Sequence, residues 1–361
     1  MNSKNINSKK WIKISIFTTL FGFTLLALFN YAVDPFYIFN SKILKHNVQI
    51  NERFLKIEFL EKNHKNFNSY MIGSSRIGVT SPKVVEQYIP NSKFYNMSMS
   101  SATMYDYKMH IRYLIKQKYR IDTIYLQLDV DTMHYYGLSD SDYLSKLHPY
   151  VEGKSLTFYY FEYLSGFFPF NAKVKIAQNI NYKPTKTTYS LETGIWTNPP
   201  AEKRVEENCK EYVASEEKFH RKNRPSLTYI TKDKTISDLK EIVLLCKTNN
   251  IKLYTFITPH NNIMMDSFIR EDYLDYLSDI AHITNFYDFS GYNSVTENNC
   301  NYYETSHYRP KIGKLIAGRI FHDNNIDIPD DFGILVTKET IKDHLIKRKE
   351  QILKKDNYER N

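Results

Sequence analysis

The sequence predicts an α/β protein with a doubly wound, parallel, five-stranded sheet, preceded by a transmembrane helix. Short apolar or aromatic runs alternate with amphipathic helical patterns, an order typical of parallel sheets with crossover helices. The predicted strands are residues 68–73, 93–97, 122–129, 251–258 and 284–289. Active sites in such sheets lie at the carboxyl ends of the strands. Ser75, Asn96 and Asp129 fall at predicted strand ends, so we expect them at one edge.

An uncharged segment near the N-terminus predicts the membrane anchor. Residues 14–33, ISIFTTLFGFTLLALFNYAV, are 20 residues without a charge. At about 1.5 Å per residue they match the roughly 30 Å hydrocarbon core of a bilayer. The segment's exit is a poor signal-peptidase site, so we expect an uncleaved anchor. Lysines precede it, which places residues 1–13 in the cytoplasm and the rest of the chain in the periplasm or outside the cell.

The remaining chain divides into three parts by pattern. Residues 34–66 are expected to form a membrane-proximal helix and linker, with Arg53 and Lys56 one turn apart, and residues 67–325 the α/β domain. Within that domain, residues from about 132 to 235 are rich in Tyr, Phe, Asn and Lys, contain several prolines and show no clear period. They are too long for a connecting loop, which indicates an inserted subdomain or a lid. Residues 326–361 are predicted to form a basic helical tail.

Composition excludes several function classes. The net charge of +9 is concentrated at the two ends of the chain and accompanies no nucleic-acid-binding module. Cys209, Cys246 and Cys300 have no metal-ligand spacing, and they leave the existence of one disulfide open. The sequence has neither a phosphate-binding glycine loop nor a dinucleotide motif. We therefore expect no nucleic-acid partner, no metal and no cofactor.

Two short blocks carry the predicted chemistry. Gly73-Ser74-Ser75-Arg76 follows an apolar run, and Glu304 precedes His307 by three residues. A serine on a tight turn can act as a nucleophile when a histidine removes its proton, and a carboxylate can orient that histidine. Ser75, His307 and Glu304 are therefore the predicted nucleophile, base and acid. Ile77 stands where a G-x-S-x-G elbow has its second glycine, so the pattern differs from the α/β-hydrolases.

The two blocks resemble those of the SGNH (GDSL-like) hydrolase superfamily. More narrowly, the chain is similar to the membrane-anchored SGNH-like proteins of bacterial envelopes that work beside membrane-bound O-acyltransferases. The similarity extends to Val33-Asp34-Pro35-Phe36, Asn51-Glu52-Arg53 with Lys56, Tyr95-Asn96, Tyr287-Asp288-Phe289-Ser290, the stretch 303–310 and Asp331-Phe332-Gly333. The resemblance implies a flavodoxin-like SGNH fold, an O-acyltransferase partner and an envelope polysaccharide substrate.

The resemblance also implies the donors of an oxyanion hole, and here this sequence departs from the family. SGNH proteins use the backbone N–H of the nucleophile, a glycine of the second block and an asparagine of the third. The second block here begins at Asn96 and has serines where glycine is common, so Ser98 or Ser101 is expected to donate its backbone N–H. Asp129 stands where the asparagine would donate. Asp129 either contacts the site residues without touching the substrate, or the oxyanion hole of this envelope subfamily has fewer donors. Glu304 likewise replaces the family's usual aspartate.

Two further residues are candidates for substrate contact. Arg76 directly follows the nucleophile, where it either steers an anionic substrate or locks the turn through a salt bridge. His260 lies at the end of the fourth predicted strand.

The expected reaction is transfer of an acyl group, with acetyl preferred, to an envelope polysaccharide through an acyl-enzyme on Ser75. A polysaccharide acetyl-esterase would use the same triad, because pocket shape and water exclusion decide the acceptor. A catalytically weak accessory protein for an O-acyltransferase is the third alternative.

Overall fold

The computed structural model describes residues 8–44, 50–133, 143–181, 187–221 and 226–360. These residues form an α/β protein with a mostly parallel six-stranded sheet and a long apolar N-terminal helix. Their strands are β1 (Ser69–Ser74), β2 (Phe94–Met99), β3 (Thr123–Leu128), β4 (Thr188–Tyr189), β5 (Trp196–Thr197), β6 (Lys252–Ile257), β7 (Phe286–Asp288), β8 (Tyr302–Glu304), β9 (His307–Tyr308) and β10 (Ile334–Val336). The main sheet has the order β10-β7-β6-β3-β1-β2, and β4–β5 and β8–β9 are separate hairpins.

The parallel α/β prediction is confirmed, but the expected number of five strands is wrong. All five predicted strands lie within two residues of the observed bounds. A sixth strand, β10, pairs antiparallel with β7 at the edge of the sheet. It belongs to the segment predicted as a helical tail. It has only three residues, of which Ile334 and Leu335 are exposed, so neither length nor burial marks it in the sequence.

Helices cover both faces of the sheet. In the described residues they are α1 (Ser8–Val33), α2 (Glu52–Asn63), α3 (Lys83–Glu86), α4 (Met104–Lys116), α5 (Pro149–Glu152), α6 (Leu156–Ser165), α7 (Pro169–Ile180), α8 (Pro199–Glu207), α9 (Cys209–Ser215), α10 (Lys232–Thr248), α11 (Asn262–Met265), α12 (Arg270–Ala281), α13 (Pro310–Ile320) and α14 (Ile341–Arg360). Successive strand residues point to opposite faces. Tyr70 and Ile72 accordingly enter the core beneath α2, α4, α10 and α12, whereas Met71 enters the core beneath α13.

The segment predicted as a membrane-proximal helix and linker contains the helix α2, which packs into the α/β domain. The side chain of Asn51 caps α2 by accepting from the Phe54 N–H at 2.9 Å. α2 packs against β2 and buries two cations. Arg53 pairs with Asp106 at 2.7 Å, and Lys56 donates to the carbonyl oxygen of Ser98 at 2.5 Å.

The predicted insertion divides into two packed parts. Residues 143–181 include α5 to α7, and α6 and α7 pack against α1. Residues 187–221 include β4, β5, α8 and α9, and α8 contacts β8. The prolines at 184 and 225 lie outside the described residues, as do residues 1–7 of the predicted cytoplasmic segment.

Two features suggest an extracytoplasmic location. The predicted span lies within α1, whose 26 residues are long and apolar enough to cross a membrane. A disulfide joins Cys209 of α9 to Cys300, which lies two residues before β8. Cys246 is a buried free thiol. Disulfides persist mainly in oxidising compartments.

Where the basic tail was predicted, α14 buries His344 and Arg348 against Asp288.

Candidate functional site

A cavity of about 390 Å³ lies at the carboxyl edge of the main sheet. Ser75 directly follows β1, and Asp129 directly follows β3. The lining residues are Ser74, Ser75, Arg76, Ser101, Ala102, Thr103, Asp129, Asp131, Thr132, Ser306 and His307. Asn96 does not share this edge position, because β2 continues to Met99 and Asn96 lies inside the strand.

Ser75, His307 and Glu304 form one hydrogen-bonded relay. Ser75 Oγ lies 2.8 Å from His307 Nε2. On the other side of the ring, Nδ1 contacts Glu304 Oε1 in a short hydrogen bond. The β8–β9 hairpin carries both residues and brings them to the serine from 232 positions along the chain. When Nδ1 carries the ring proton, Nε2 is free to accept the serine proton, so the arrangement can generate a nucleophilic alkoxide.

Glu304 is held in its charged form by the groups around it. Its second oxygen, Oε2, accepts from Lys218 Nζ at 3.1 Å and from the Ser306 N–H at 3.1 Å. Burial alone would raise the pKa of Glu304, but His307 and Lys218 outweigh burial and hold that pKa well below its ordinary value. The carboxylate is therefore ionised at neutral pH and can stabilise an imidazolium at His307.

The loop that carries Ser75 is fixed from two sides. Gln127 Oε1 accepts from the Ile77 N–H at 2.7 Å, and Gln127 Nε2 donates to Ser74 Oγ at 2.9 Å. A Cβ at Gly73 would lie 2.7 Å from Gln127 Cβ, so a glycine is required for this close approach.

Trp196 is a site residue that the sequence analysis missed. Its Nε1–H donates to the Ser75 carbonyl oxygen at 2.7 Å, and its ring meets the His307 ring edge-on at 5.4 Å between centroids. The chain has only two tryptophans, and this rarity could have marked Trp196 as a candidate. Trp196 lies in the stretch without a clear period, so no predicted element placed it near the site. Lys218, the partner of Glu304, was missed for the same reason.

The expected oxyanion donors separate into two groups. The Ser98 N–H donates to Asn96 Oδ1 at 2.9 Å, and Asn96 Nδ2 donates to the Ile77 and Thr80 carbonyl oxygens at 3.0 Å each. Asn96 and Ser98 therefore stabilise the loop that follows Ser75. Ser101 lines the cavity and has φ 50°, the left-handed conformation that glycine adopts most readily.

The backbone N–H groups of Ser75 and Ser101 are available at the cavity. Among the described residues, neither N–H has a protein acceptor. Both residues line the same cavity as His307. They are the candidate donors to an oxyanion.

Arg76 is a locked structural cation. Its guanidinium binds Asp131 at 3.0 and 2.7 Å, lies 3.2 Å from Asp129, and donates to the Ser306 carbonyl oxygen at 2.9 Å. Burial favours a lower pKa for Arg76, but Asp131 and Asp129 outweigh burial and hold it above its ordinary value. Of the two expected roles, this geometry supports the salt bridge, because all three groups fix the guanidinium between the serine loop and the residue before His307. The sequence analysis missed Asp131.

Asp129 lines the cavity from a fully buried position, and His260 lies behind the cavity wall. Asp129 is fully buried, and its Oδ1 accepts from Thr258 Oγ1 while pairing with Arg76. A carboxylate bound in this way supplies no donor to an oxyanion. His260 is also fully buried and does not line the cavity, and its Nε2 lies 3.6 Å from Asp131 Oδ1.

The group of Asp129, Asp131 and His260 offers ligand atoms within 4.8 Å of one another, a spacing that could suit a metal ion. However, the Arg76 guanidinium already contacts both carboxylates. The cluster therefore holds a protein cation in the place where a metal would bind, and we assign it to Arg76.

No protein-family model matches the chain, and a search of curated proteins finds no match to it.

Proposed function

We propose that this protein is an SGNH-like serine O-acyltransferase that transfers acyl groups, with acetyl preferred, to a cell-envelope polysaccharide. The observation that carries the proposal is the relay in which Ser75 Oγ lies 2.8 Å from His307 Nε2, with Glu304 bound to the opposite ring nitrogen. The resemblance of the short sequence motifs supplies the acyl group, the polymer and the O-acyltransferase partner.

The strand order supports a flavodoxin-like SGNH fold. Counted along the chain, the five parallel strands β1, β2, β3, β6 and β7 lie in the order 2-1-3-4-5. This is the flavodoxin-like order, and its ligand crevice lies where the winding reverses, between the first and third strands. Ser75 follows the first of these strands and Asp129 the third.

The relay supports a two-step mechanism. His307 Nε2 takes the proton of Ser75 Oγ as that oxygen attacks the acyl carbonyl carbon, and the backbone N–H groups of Ser75 and Ser101 bind the oxyanion. The tetrahedral intermediate collapses to acyl-Ser75, and the protonated His307 gives its proton to the leaving alcohol. In the second step His307 deprotonates a sugar hydroxyl, which attacks the acyl-enzyme. The new ester leaves, and the proton returns to Ser75.

An esterase would share the first step and use water in the second. The envelope resemblance favours transfer, and the completeness of the relay favours an enzyme over a catalytically weak accessory protein. We place the domain outside the cytoplasm on a single inner-membrane span formed by α1. A reporter fused after residue 361 is accordingly expected to be active outside the cytoplasm, and cytoplasmic activity of that reporter would contradict the envelope substrate.

The test of the proposed function is labelling of Ser75 by a serine-directed fluorophosphonate, followed by turnover of an acetyl ester with and without an oligosaccharide acceptor. Ser75→Ala is expected to abolish labelling and to lower turnover on the order of 10⁴-fold. His307→Ala should be nearly as damaging, and the double variant little worse than either, because residues that act as a unit give non-additive losses.

Ser81→Ala, a half-buried serine six residues after Ser75, is the matched control and should label normally. Acetylated oligosaccharide as product indicates transfer, and free acetate alone indicates the esterase. A folded native protein that takes no label would refute the catalytic proposal.

A further inference from the structure

Four exposed phenylalanines lie on α6, on α7 and in the turn between them, and both helices pack against the N-terminal helix. We call this set of side chains the aromatic footing, and its residues are Phe158 and Phe161 of α6, Phe167 of the α6–α7 turn, and Phe170 of α7. Their side chains are 61%, 66%, 80% and 73% exposed. Large apolar side chains grouped on a surface indicate contact with a membrane or a partner.

The aromatic footing lies at a depth that α1 defines. α6 and α7 pack against α1, where Leu26 and Ala27 are half-buried and Asn30 is buried, while most neighbouring α1 side chains are exposed. Asn30 Nδ2 donates to the carbonyl oxygens of Leu164 at 2.9 Å and of Gly166 at 2.7 Å. At 1.5 Å per residue, Asn30 lies about 5 Å, and Leu26 about 10 Å, inside the end of the apolar span. The α6–α7 turn therefore reaches the level of the last turns of α1.

The end of α6 is built for an environment without water. The last carbonyl groups of a helix lack partners within the helix. In lipid each such group must be satisfied by the protein, because an unsatisfied backbone group costs several kcal/mol there. Asn30 supplies donors to this end of α6, including the Tyr163 carbonyl oxygen at 3.3 Å. An asparagine within an apolar span thus has a structural purpose.

Polar contacts resume directly after the span. Asp34 accepts from the backbone N–H groups of Ile38 at 2.8 Å and Ser41 at 3.1 Å, and from the Tyr163 hydroxyl at 3.0 Å. Lys175 Nζ donates to the Asp34 carbonyl oxygen at 2.5 Å. Tyrosine rings that place an apolar body below and a hydroxyl above are typical of the membrane–water interface. The polar layer at Asp34 therefore marks the end of the apolar span.

We propose that the aromatic footing is embedded in the lipid of the same leaflet that holds the end of α1. The proposal rests on α1 being the membrane span of the proposed function. A lipid surface is favoured over a protein partner because Asn30, which lies within the span, already supplies donors at the end of α6, and because the helices that carry the footing pack against the span.

Embedding the footing would fix the orientation of the active site. The Asn51 N–H donates to the Phe36 carbonyl oxygen at 3.3 Å, which ties the start of α2 to the exit of the anchor. Two residues later, Arg53 Nη1 donates to the Ser100 carbonyl oxygen at 2.9 Å, and Ser101 lines the cavity. The carboxyl edge of the sheet is thus the edge nearest the anchor. Two membrane contacts would hold that edge on the membrane side, where a membrane-bound donor arrives.

Fluorescence depth measurement on the full chain tests the proposal. A cysteine is introduced by Phe167→Cys and labelled with the fluorophore NBD. The native cysteines do not interfere, because Cys209 and Cys300 are disulfide-bonded and Cys246 is buried. The labelled protein is reconstituted in phosphatidylcholine vesicles that carry a doxyl quencher at acyl carbon 5. Phe29→Cys on α1 is the lipid-exposed reference, and Glu207→Cys, exposed at the end of α8, is the aqueous control.

The probe at 167 is expected to lose emission to the doxyl lipid to about the same extent as the probe at 29, while the probe at 207 keeps its emission. Phe170→Cys repeats the measurement on α7 and should agree. A quenched probe at 29 with aqueous iodide quenching at 167 would overturn the proposal and leave the anchor intact. Iodide quenching at both positions would overturn the anchor as well. Protection at 167 in native membranes but not in pure lipid vesicles would assign the surface to a protein partner and also overturn it.

Discussion

Replacement of Glu304 by glutamine should stop the relay through the wrong histidine tautomer. Glu304 Oε2 accepts two hydrogen bonds, from Lys218 Nζ and from the Ser306 N–H, both at 3.1 Å. A glutamine side chain has one acceptor oxygen and one donor NH₂ group. Its oxygen will take the position of Oε2, where two donors converge, so its NH₂ group will face His307 Nδ1. Nδ1 must then accept, and the ring proton moves to Nε2, which faces Ser75 Oγ.

A base whose lone pair has been replaced by a proton cannot activate the serine. The equivalent acid-to-amide change in a Ser-His-Asp protease lowers kcat about 10⁴-fold through the wrong tautomer. At 1.36 kcal/mol per tenfold, this loss is about 5 kcal/mol of transition-state stabilisation. We therefore expect Glu304→Gln to lower kcat by roughly 10³- to 10⁴-fold with little change in KM, because the cavity walls are untouched.

The assay is steady-state transfer or hydrolysis of an acetyl ester, together with the rate of fluorophosphonate labelling. Lys218→Met is the matched control, because it removes one donor to Glu304 and keeps the carboxylate. It should cost no more than about tenfold. Glu304→Asp keeps an acceptor-only side chain and should lose less than Glu304→Gln. Activity of Glu304→Gln within a few-fold of the native rate would refute the tautomer argument. Asp288 offers no substitute acid, since its Oδ2 already binds His344 and Arg348.

Three further predictions concern the surroundings of the site and the core. Trp196→Phe removes the donor to the Ser75 carbonyl oxygen but keeps an aromatic ring. Loss of one hydrogen bond should lower kcat by about tenfold. An unchanged kcat would show that this hydrogen bond does not position the serine. Reduction of the Cys209–Cys300 disulfide opens a 91-residue loop, and the free energy of unfolding should fall by about 4–5 kcal/mol because the unfolded chain gains entropy. The thermal midpoint should be lower with reductant than without it, and an equal midpoint would contradict this contribution. Burial lowers the pKa of His110 to about 4 from 6.5, so the folded state favours the neutral imidazole. The free energy of unfolding should therefore decrease by about 3 kcal/mol as pH falls from about 6.5 to 4. His110→Phe should flatten this part of the pH dependence of the thermal midpoint, and an unaltered slope would assign the pH dependence to other groups.

Local pattern was sufficient for the buried strands of the sheet and insufficient for the exposed edge strand β10. β1, β2 and β3 are buried along their whole length, so each is a run of apolar residues bounded by polar turns. β10 has three residues, two of them exposed, and its strand character comes from pairing with β7. The membrane-proximal helix was expected, but its packing into the domain was not. The partners that bury Arg53 and Lys56 are Asp106 and Ser98, which lie 53 and 42 residues away in the chain.

The chain by itself determined the apolar span, the parallel strands and the three residues of the relay, because each is encoded within a few neighbouring positions. Only the tertiary structure distinguishes the two serines Ser98 and Ser101, since the Ser98 N–H is bound to Asn96 and Ser101 lines the cavity in a left-handed conformation. The contacts of Trp196 and Lys218 also depend on the tertiary structure. They lie 121 and 86 residues from the atoms they contact, and only the packing of the insertion over the β8–β9 hairpin brings them together.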